Sequence, residues 1–188
     1  MTQRLSHIVG FDDAPFDPAD RGDVTVIGAV YSNRRLEGVL SSAVERDGDD
    51  ATSMLIDMVA KSRFAPHLQA VFLQGIALAG FNVVDCHALH EALQLPVIVV
   101  ARKRPDLPAI RRALLNHVPN GGHKWGLIEQ AGPMVPVGRI FVQHFGISYV
   151  DTCDLIKRFA VNGLLPEPLR TAHLIAGGMT GGQSRQRV

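Results

Sequence analysis

Two unbroken apolar runs, Leu68-Gln69-Ala70-Val71-Phe72-Leu73 and Leu95-Pro96-Val97-Ile98-Val99-Val100-Ala101, bracket a helical pattern over Val83–Leu93. Continuous apolar strands separated by a helix form a β-α-β unit, whose strands are parallel and buried on both faces. This unit constrains the chain more than any other stretch. It requires a sheet with helices packed on both sides.

The N-terminal part supplies the rest of the sheet. Ser6-His7-Ile8-Val9-Gly10-Phe11 is apolar and ends in Asp12 and Asp13 before Pro15. Val24–Tyr31 is rich in β-branched residues, and Leu36–Val44 follows across the short turn Ser32–Arg35, so these two segments form an antiparallel hairpin. The segment 17–23 is a polar loop, Arg46–Asp50 is an acidic turn, and Thr52–Ser62 has helical spacing with Asp50 as its N-cap. Further helices are predicted over Asp106–Asn116, Val150–Val161 and Pro168–Ala176, with a short strand over Arg139–His144. The segment 118–137, rich in Gly and Pro, reads as an excursion of mostly loop, and 177–188 as a flexible tail.

The resulting order is a three-strand antiparallel meander, then helix, strand, helix, strand and helices. It is an α/β mixed sheet with helices on both faces, the order of the ribonuclease-H-like fold, in one domain spanning 1–188. In that arrangement the first strand and the strand ending at Gln74 lie side by side at the sheet centre.

Composition closes off other classes. Hydrophobic residues make up 46% of the 188 and charged residues 20%, enough for a sizeable core in a soluble protein. Nineteen basic and eighteen acidic residues give a formal charge of +1, so any nucleic-acid partner must be met by a local patch. The two cysteines, Cys86 and Cys153, fit neither a disulfide framework nor a zinc site and point to a reducing cytoplasmic setting. No apolar run reaches about 18 residues, so no membrane partner is expected.

The chemistry concentrates at one sheet edge. Asp12 and Asp13 alternate sides at the end of a strand covered on both faces, so one carboxylate must find a partner. An ordinary Asp-Asp-Ala-Pro turn is the competing reading. Asp47 and Asp50 in the acidic turn, and Gln74 at the end of the fourth strand, converge on the same edge in this layout. Such a set could bind Mg²⁺ or Mn²⁺ for phosphodiester hydrolysis, although Gln74 brings a carbonyl without a charge. Arg102, Lys103 and Arg104 follow the fifth strand there and would hold a phosphate backbone, or form a solvated basic loop. Asn82 reads as the N-cap of the following helix and as a nucleic-acid contact, with Asp85 in its first turn or as a further ligand. Trp125 and His123 could stack on a base, or Trp125 could plug the core. His87 and His90 read as surface histidines, and His173 as a packing histidine. No Ser, Cys and His form a nucleophile-base arrangement, and the glycine pairs at 177–178 and 181–182 make no phosphate loop.

Four ordered motifs carry a resemblance. Gly10-Phe11-Asp12-Asp13-Ala14-Pro15-Phe16, Asp47-Gly48-Asp49-Asp50-Ala51-Thr52, Gly80-Phe81-Asn82-Val83-Val84-Asp85, and Pro166-Glu167-Pro168-Leu169-Arg170 with Ala172-His173-Leu174-Ile175 together resemble the endonuclease dU family. That family is similar to endonuclease V, which cuts DNA or RNA near deaminated bases with Mg²⁺ or Mn²⁺. The resemblance implies that Asp12 is the first metal-binding acid and Asp47, or Asp50, the second. It places Arg102 near the scissile phosphate and Gln74 where both families carry an Asp before Gly. The implied function is a metal-dependent endonuclease of DNA repair acting on uracil- or hypoxanthine-containing DNA. The alternative is an inactive nucleic-acid-binding or interaction protein of the same fold, because Gln74 replaces that Asp.

Overall fold

The computed structural model of the chain describes residues 5–17, 19 and 22–184. The meander is β1 (His7–Asp13), β2 (Val24–Ser32) and β3 (Arg35–Val44), followed by α1 (Ala51–Ala60) and β4 (Ala70–Gln74). A small hairpin, β5 (Ala77–Leu78) with β6 (Asn82–Val83), precedes α2 (Cys86–Leu93) and β7 (Val97–Ala101). Then come α3 (Leu107–His117), α4 (Gly121–Ala131), β8 (Val135–Val137), β9 (Ile140–Phe145), α5 (Tyr149–Phe159) and α6 (Glu167–Gly181).

Among the described residues the main sheet has seven strands in the order β3-β2-β1-β4-β7-β9-β8. β1 pairs in parallel with β4, and β4 with β7, while every other pairing is antiparallel. This is the mixed ribonuclease-H-like sheet that the sequence predicts, with the meander on one side and the β4-α2-β7 crossover at the centre. The central strands are buried on both faces: Gly10 and Asp12 turn towards α6, while Val9 and Phe11 point the other way and are also fully buried. α5 shares the α6 face, where Phe159 meets the Phe72 ring edge-on at 6.3 Å between centroids. Elsewhere α1 packs against β3, and α2 against β7 and β9. Among the described residues no helix is long and apolar enough to cross a membrane.

Three expectations need correction. The excursion over 118–137 contains a full helix, α4, and the strand β8. Gly121, Gly122 and Gly126 lower its helix propensity, but Gly121, Lys124 and Ile128 recur at helical spacing and form its buried side. Gly121 lies so close to the Leu114 carbonyl that no Cβ would fit, which fixes how α4 packs on α3. The second correction concerns α2, which starts at Cys86 rather than Val83. Its N-cap is Asp85, accepting from the Ala88 amide at 2.9 Å, and Asn82 lies in β6 instead. Third, α6 continues to Gly181, so the first residues of the expected tail are helical, and 185–188 lie outside the described residues.

α6 approaches β1 closely at Gly10. A Cβ on Gly10 would stand 2.6 Å from the Pro168 carbonyl carbon and 2.7 Å from the Leu169 amide nitrogen, both backbone atoms. Gly10→Val should therefore lift α6 and destabilise the protein by about 1–3 kcal/mol in urea melts. Gly122→Ala, in open space on α4, should be neutral or stabilising by up to about 1 kcal/mol. Equal effects of the two would show that the α6 contact is not tight.

Candidate active site

Strand register assembles the site. Phe11 is level with Leu73 in the parallel β1–β4 pair, so one further residue sets Gln74 beside Asp12 on the α6 face. Gln74 is in turn level with Val100 of β7, and Arg102 follows two residues later. Asp12 is only 4% exposed. Its Oδ2 accepts from Nδ1 of His173 at 2.7 Å, and its Oδ1 accepts from the Asp13 amide at 3.1 Å. The hydrogen bond to Asp12 holds the His173 pKa above the usual 6.5, against burial and the opposing charge of Arg102. Gln74 Oε1 is buried and has no hydrogen-bond partner among the described residues.

Asp13 leaves the other side of the strand end. Its Oδ2 accepts from the Ala79 amide at 2.9 Å. Burial first, and the neighbouring Asp12 charge second, push its pKa up to about 6. Two adjacent carboxylates therefore repel one another at the edge where β1, β4 and β7 end.

The acidic turn lies close by but serves a different purpose. Asp47 Oδ1 accepts from the Phe81 amide at 2.7 Å, and the Asp47 amide donates to the Ala79 carbonyl at 2.9 Å. Its Oδ2 is 3.6 Å from Arg46 Nε. Ala79 and Gly80 both have positive φ, and a Cβ on Gly80 would collide with the Asp47 carboxylate, so this turn requires glycine. Asp47 thus braces the β5–β6 hairpin that holds Asp13. Asp50 occupies the α1 N-cap position, but its carboxylate accepts from the Glu45 amide and from Asn82 Nδ2 rather than capping α1. Asn82 performs the capping from outside, its Oδ1 accepting from the Ala51 amide at 3.0 Å. Lys124, fully buried, donates to the Asp47 carbonyl and lies 3.5 Å from Asp49. Among the described residues no group of three His, Cys, Asp or Glu side chains is placed to hold a metal ion. Of the convergence expected from sequence, Asp12 and Asp13, the acidic turn and Gln74, the strand ends bring together Asp12, Asp13 and Gln74, with His173 and Arg102 near them.

The remaining expected residues divide. Arg102, Lys103 and Arg104 are exposed on the loop after β7, and the Arg104 guanidinium lies over the Phe141 ring at 5.4 Å. Asn82 is fully buried and cannot touch a nucleic acid, so its expected contact role is corrected to a structural one. Trp125 is half-buried on α4 against Val83, Leu114 and Ile128, with Arg111 at 5.9 Å over its ring. Asp85 is spent on its cap. His87 and His90 are bonded to different carbonyls, Gln130 and Leu95, and form no metal pair. Burial pushes the Cys86 thiol up to about 12, which removes it as a nucleophile. His173, read from the sequence as a packing histidine, is the partner of Asp12. Its signals were its place in the Ala172-His173-Leu174-Ile175 motif and its position beside the apolar residues Leu169, Ala172 and Ala176 of α6.

Immediately beyond Gln74 opens a cavity of about 380 Å³, lined among others by Gly75, Phe81, Arg104, Ile110, Met134 and Gln143. Its walls are mainly apolar, and Arg104 links it to the basic loop after β7.

Similarities to known proteins accord with this architecture. The endonuclease dU family description matches residues 4–180. A UPF0215 protein of Deinococcus radiodurans is 56% identical over 186 residues, covering 98% of this chain and 95% of that protein. A protein from Archaeoglobus fulgidus, described as of unknown function, superposes with a TM-score of 0.88 at 34% identity, covering 94% of this chain and 99% of that one. Endonuclease V of Ciona intestinalis, solved with a 24mer DNA containing an inosine followed by a ribo-adenosine, superposes with a TM-score of 0.60 over 91% of this chain and 84% of that one. Its 13% identity makes it a likeness of fold. By the match along nearly its whole length, the chain belongs to the endonuclease dU family.

Proposed function

We propose that the protein is a divalent-metal-dependent endonuclease that hydrolyses a phosphodiester near a deaminated base in DNA, with uracil or hypoxanthine as the lesion and DNA repair as its setting. Family membership and the endonuclease V fold support a nuclease acting on DNA. The observation that carries the metal-dependent reading is the unpartnered, buried Gln74 Oε1 beside two mutually repelling carboxylates.

That donor set fits Mg²⁺ or Mn²⁺. All three groups offer oxygen, and a cation there would relieve both the Asp12–Asp13 repulsion and the orphaned amide oxygen. Asp12, Asp13 and Gln74 would hold the ion. Asp47 would serve them indirectly, by fixing the hairpin whose Ala79 amide orients Asp13. When bound, such an ion supplies an activated water and stabilisation of the leaving oxygen. His173 holds Asp12 in one rotamer and balances its charge through the 2.7 Å bond. Arg102 binds the phosphate at the strand edge, and Lys103 with Arg104 extends that contact along the backbone. The cavity beyond Gln74 receives the base extruded from the stack.

One observation favours the second reading, an inactive binding protein. Gln74 contributes no charge, so two carboxylates rather than three meet at the edge. A nicking assay on duplexes carrying uracil, hypoxanthine or no lesion separates the readings. Lesion-dependent nicking with Mg²⁺ or Mn²⁺ should disappear with EDTA and in Asp12→Asn, and His173→Ala should lower it about 10–100-fold. Cutting by Gln74→Asp but not by wild type would establish the inactive binder. If neither protein cuts or binds these duplexes, the endonuclease reading is wrong.

The Asp12–His173 pair also sets a pH dependence in metal-free protein. Because the folded-state pKa of His173 is raised, its contribution to stability is full below pH 6.5 and is lost as pH rises through the folded value. Asp13 acts in the same sense lower down: the folded state binds a proton that the unfolded chain has released, so stability falls as pH rises from 3.8 through about 6. In an NMR titration the imidazole of His173 should show its midpoint above 6.5 in wild type and a lower one in Asp12→Asn. An unchanged midpoint would mean that the pair does not form.

A further inference from the structure

The cavity beyond Gln74 is apolar except for a few groups, and one of them is fixed in orientation. Gln143, on β9, is 6% exposed and lines the cavity. Its Nε2 donates to the Gly132 carbonyl at 2.6 Å, and Gly132 lines the same cavity. Its Oε1 takes no hydrogen bond from the described residues, yet it is not sealed from solvent as Gln74 Oε1 is. A free glutamine reads either pattern of donor and acceptor by turning its amide over. This one would lose the Gly132 bond if it turned, so it presents one pattern: an acceptor at Oε1 beside the second hydrogen of Nε2.

Deamination changes the corresponding pattern on a base. Cytosine and adenine carry an unprotonated ring nitrogen next to an amino group, an acceptor beside a donor. Uracil and hypoxanthine carry a protonated ring nitrogen next to a carbonyl, a donor beside an acceptor. An extruded base is tethered to its sugar, and turning it over about the glycosidic bond would carry the altered edge away from Gln143 rather than compensate. We propose that the Gln143 amide, locked by Gly132, is the group that distinguishes deaminated bases from their parents, pairing with the ring N–H and carbonyl that deamination creates. The assignment rests on the reading of this cavity as the site of the extruded base. It places specificity in a side chain of β9, on the side of the cavity away from the carboxylates of β1. A mismatched base would leave the cavity's buried polar groups facing like partners, the arrangement that gives strong rejection.

The test measures binding by fluorescence anisotropy in EDTA, so that cutting does not intervene. The probes are oligonucleotides carrying a single deoxyuridine, deoxyinosine, deoxycytidine or N3-methyldeoxyuridine, the last with the pairing N–H blocked by a methyl group. Wild type should bind the uracil and hypoxanthine probes at least about tenfold more tightly than the cytosine and N3-methyluracil probes. Gln143→Leu, close in shape, should remove that preference and bring the four probes to within about twofold of one another. If Gln143→Leu fails to fold, the N3-methyl probe on wild type carries the test alone. A preference for uracil over cytosine that survives Gln143→Leu, or equal binding of uracil and N3-methyluracil, overturns the assignment of Gln143 and leaves the endonuclease reading standing. No preference by wild type for any lesion overturns the extruded-base cavity and the Gln143 assignment together.

Discussion

The close approach of α6 to β1 at Gly10 is the contact on which the rest of the site depends. Without a side chain at Gly10, the Pro168–Leu169 backbone comes down onto the strand, and the helix then carries His173 to the carboxylate two residues further along β1. The start of α6 is secured independently. Glu167, 6% exposed, accepts two bonds from Arg170 Nε, one from Arg170 Nη2, and one from the Asn162 amide. One turn on, Thr171 meets the Tyr31 hydroxyl at 2.8 Å and ties the helix to β2. The Pro-Glu-Pro-Leu-Arg motif is therefore a docking device, and the histidine that follows is what it delivers.

A second support comes from the opposite direction. The β5–β6 hairpin is held by Asp47, whose carbonyl is held by the buried Lys124 of α4, and the hairpin's Ala79 amide in turn orients Asp13. Charges that sequence inspection would assign to a metal are thus spent on backbone amides around a tight turn. The physical distinction is partner supply. A carboxylate facing several N–H groups in a turn is satisfied without a cation, whereas Asp12 has one histidine and one amide, Asp13 has one amide, and each charge raises the cost of ionising the other.

Much of the fold was legible because it rests on periodicity and local turns. The apolar runs at 68–73 and 95–101 mark parallel strands by composition alone, and the meander follows from its short connections. The α4 helix was not legible, because its three glycines and neighbouring prolines mimic a loop while its inward side is stabilised by tertiary contacts such as the buried Lys124. The candidate site was half legible. Asp12, Gln74 and Arg102 follow from strand ends, but the use of Asp47, Asp50 and Asn82 depends on hydrogen bonds across some thirty residues of chain, which spacing does not encode. His173 lies 161 positions from its partner, and only the docking of α6 brings the two together.

The central claim is that two carboxylates and a neutral amide oxygen at the ends of β1 and β4 form the ion site. The most direct test is an anomalous difference map from a crystal soaked in Mn²⁺. The account predicts one peak within about 2.6 Å of both an Asp12 carboxylate oxygen and Gln74 Oε1, and none at the acidic turn. A peak centred on Asp47 and Asp49, or no ordered ion at any Mn²⁺ concentration that preserves the crystal, would contradict it.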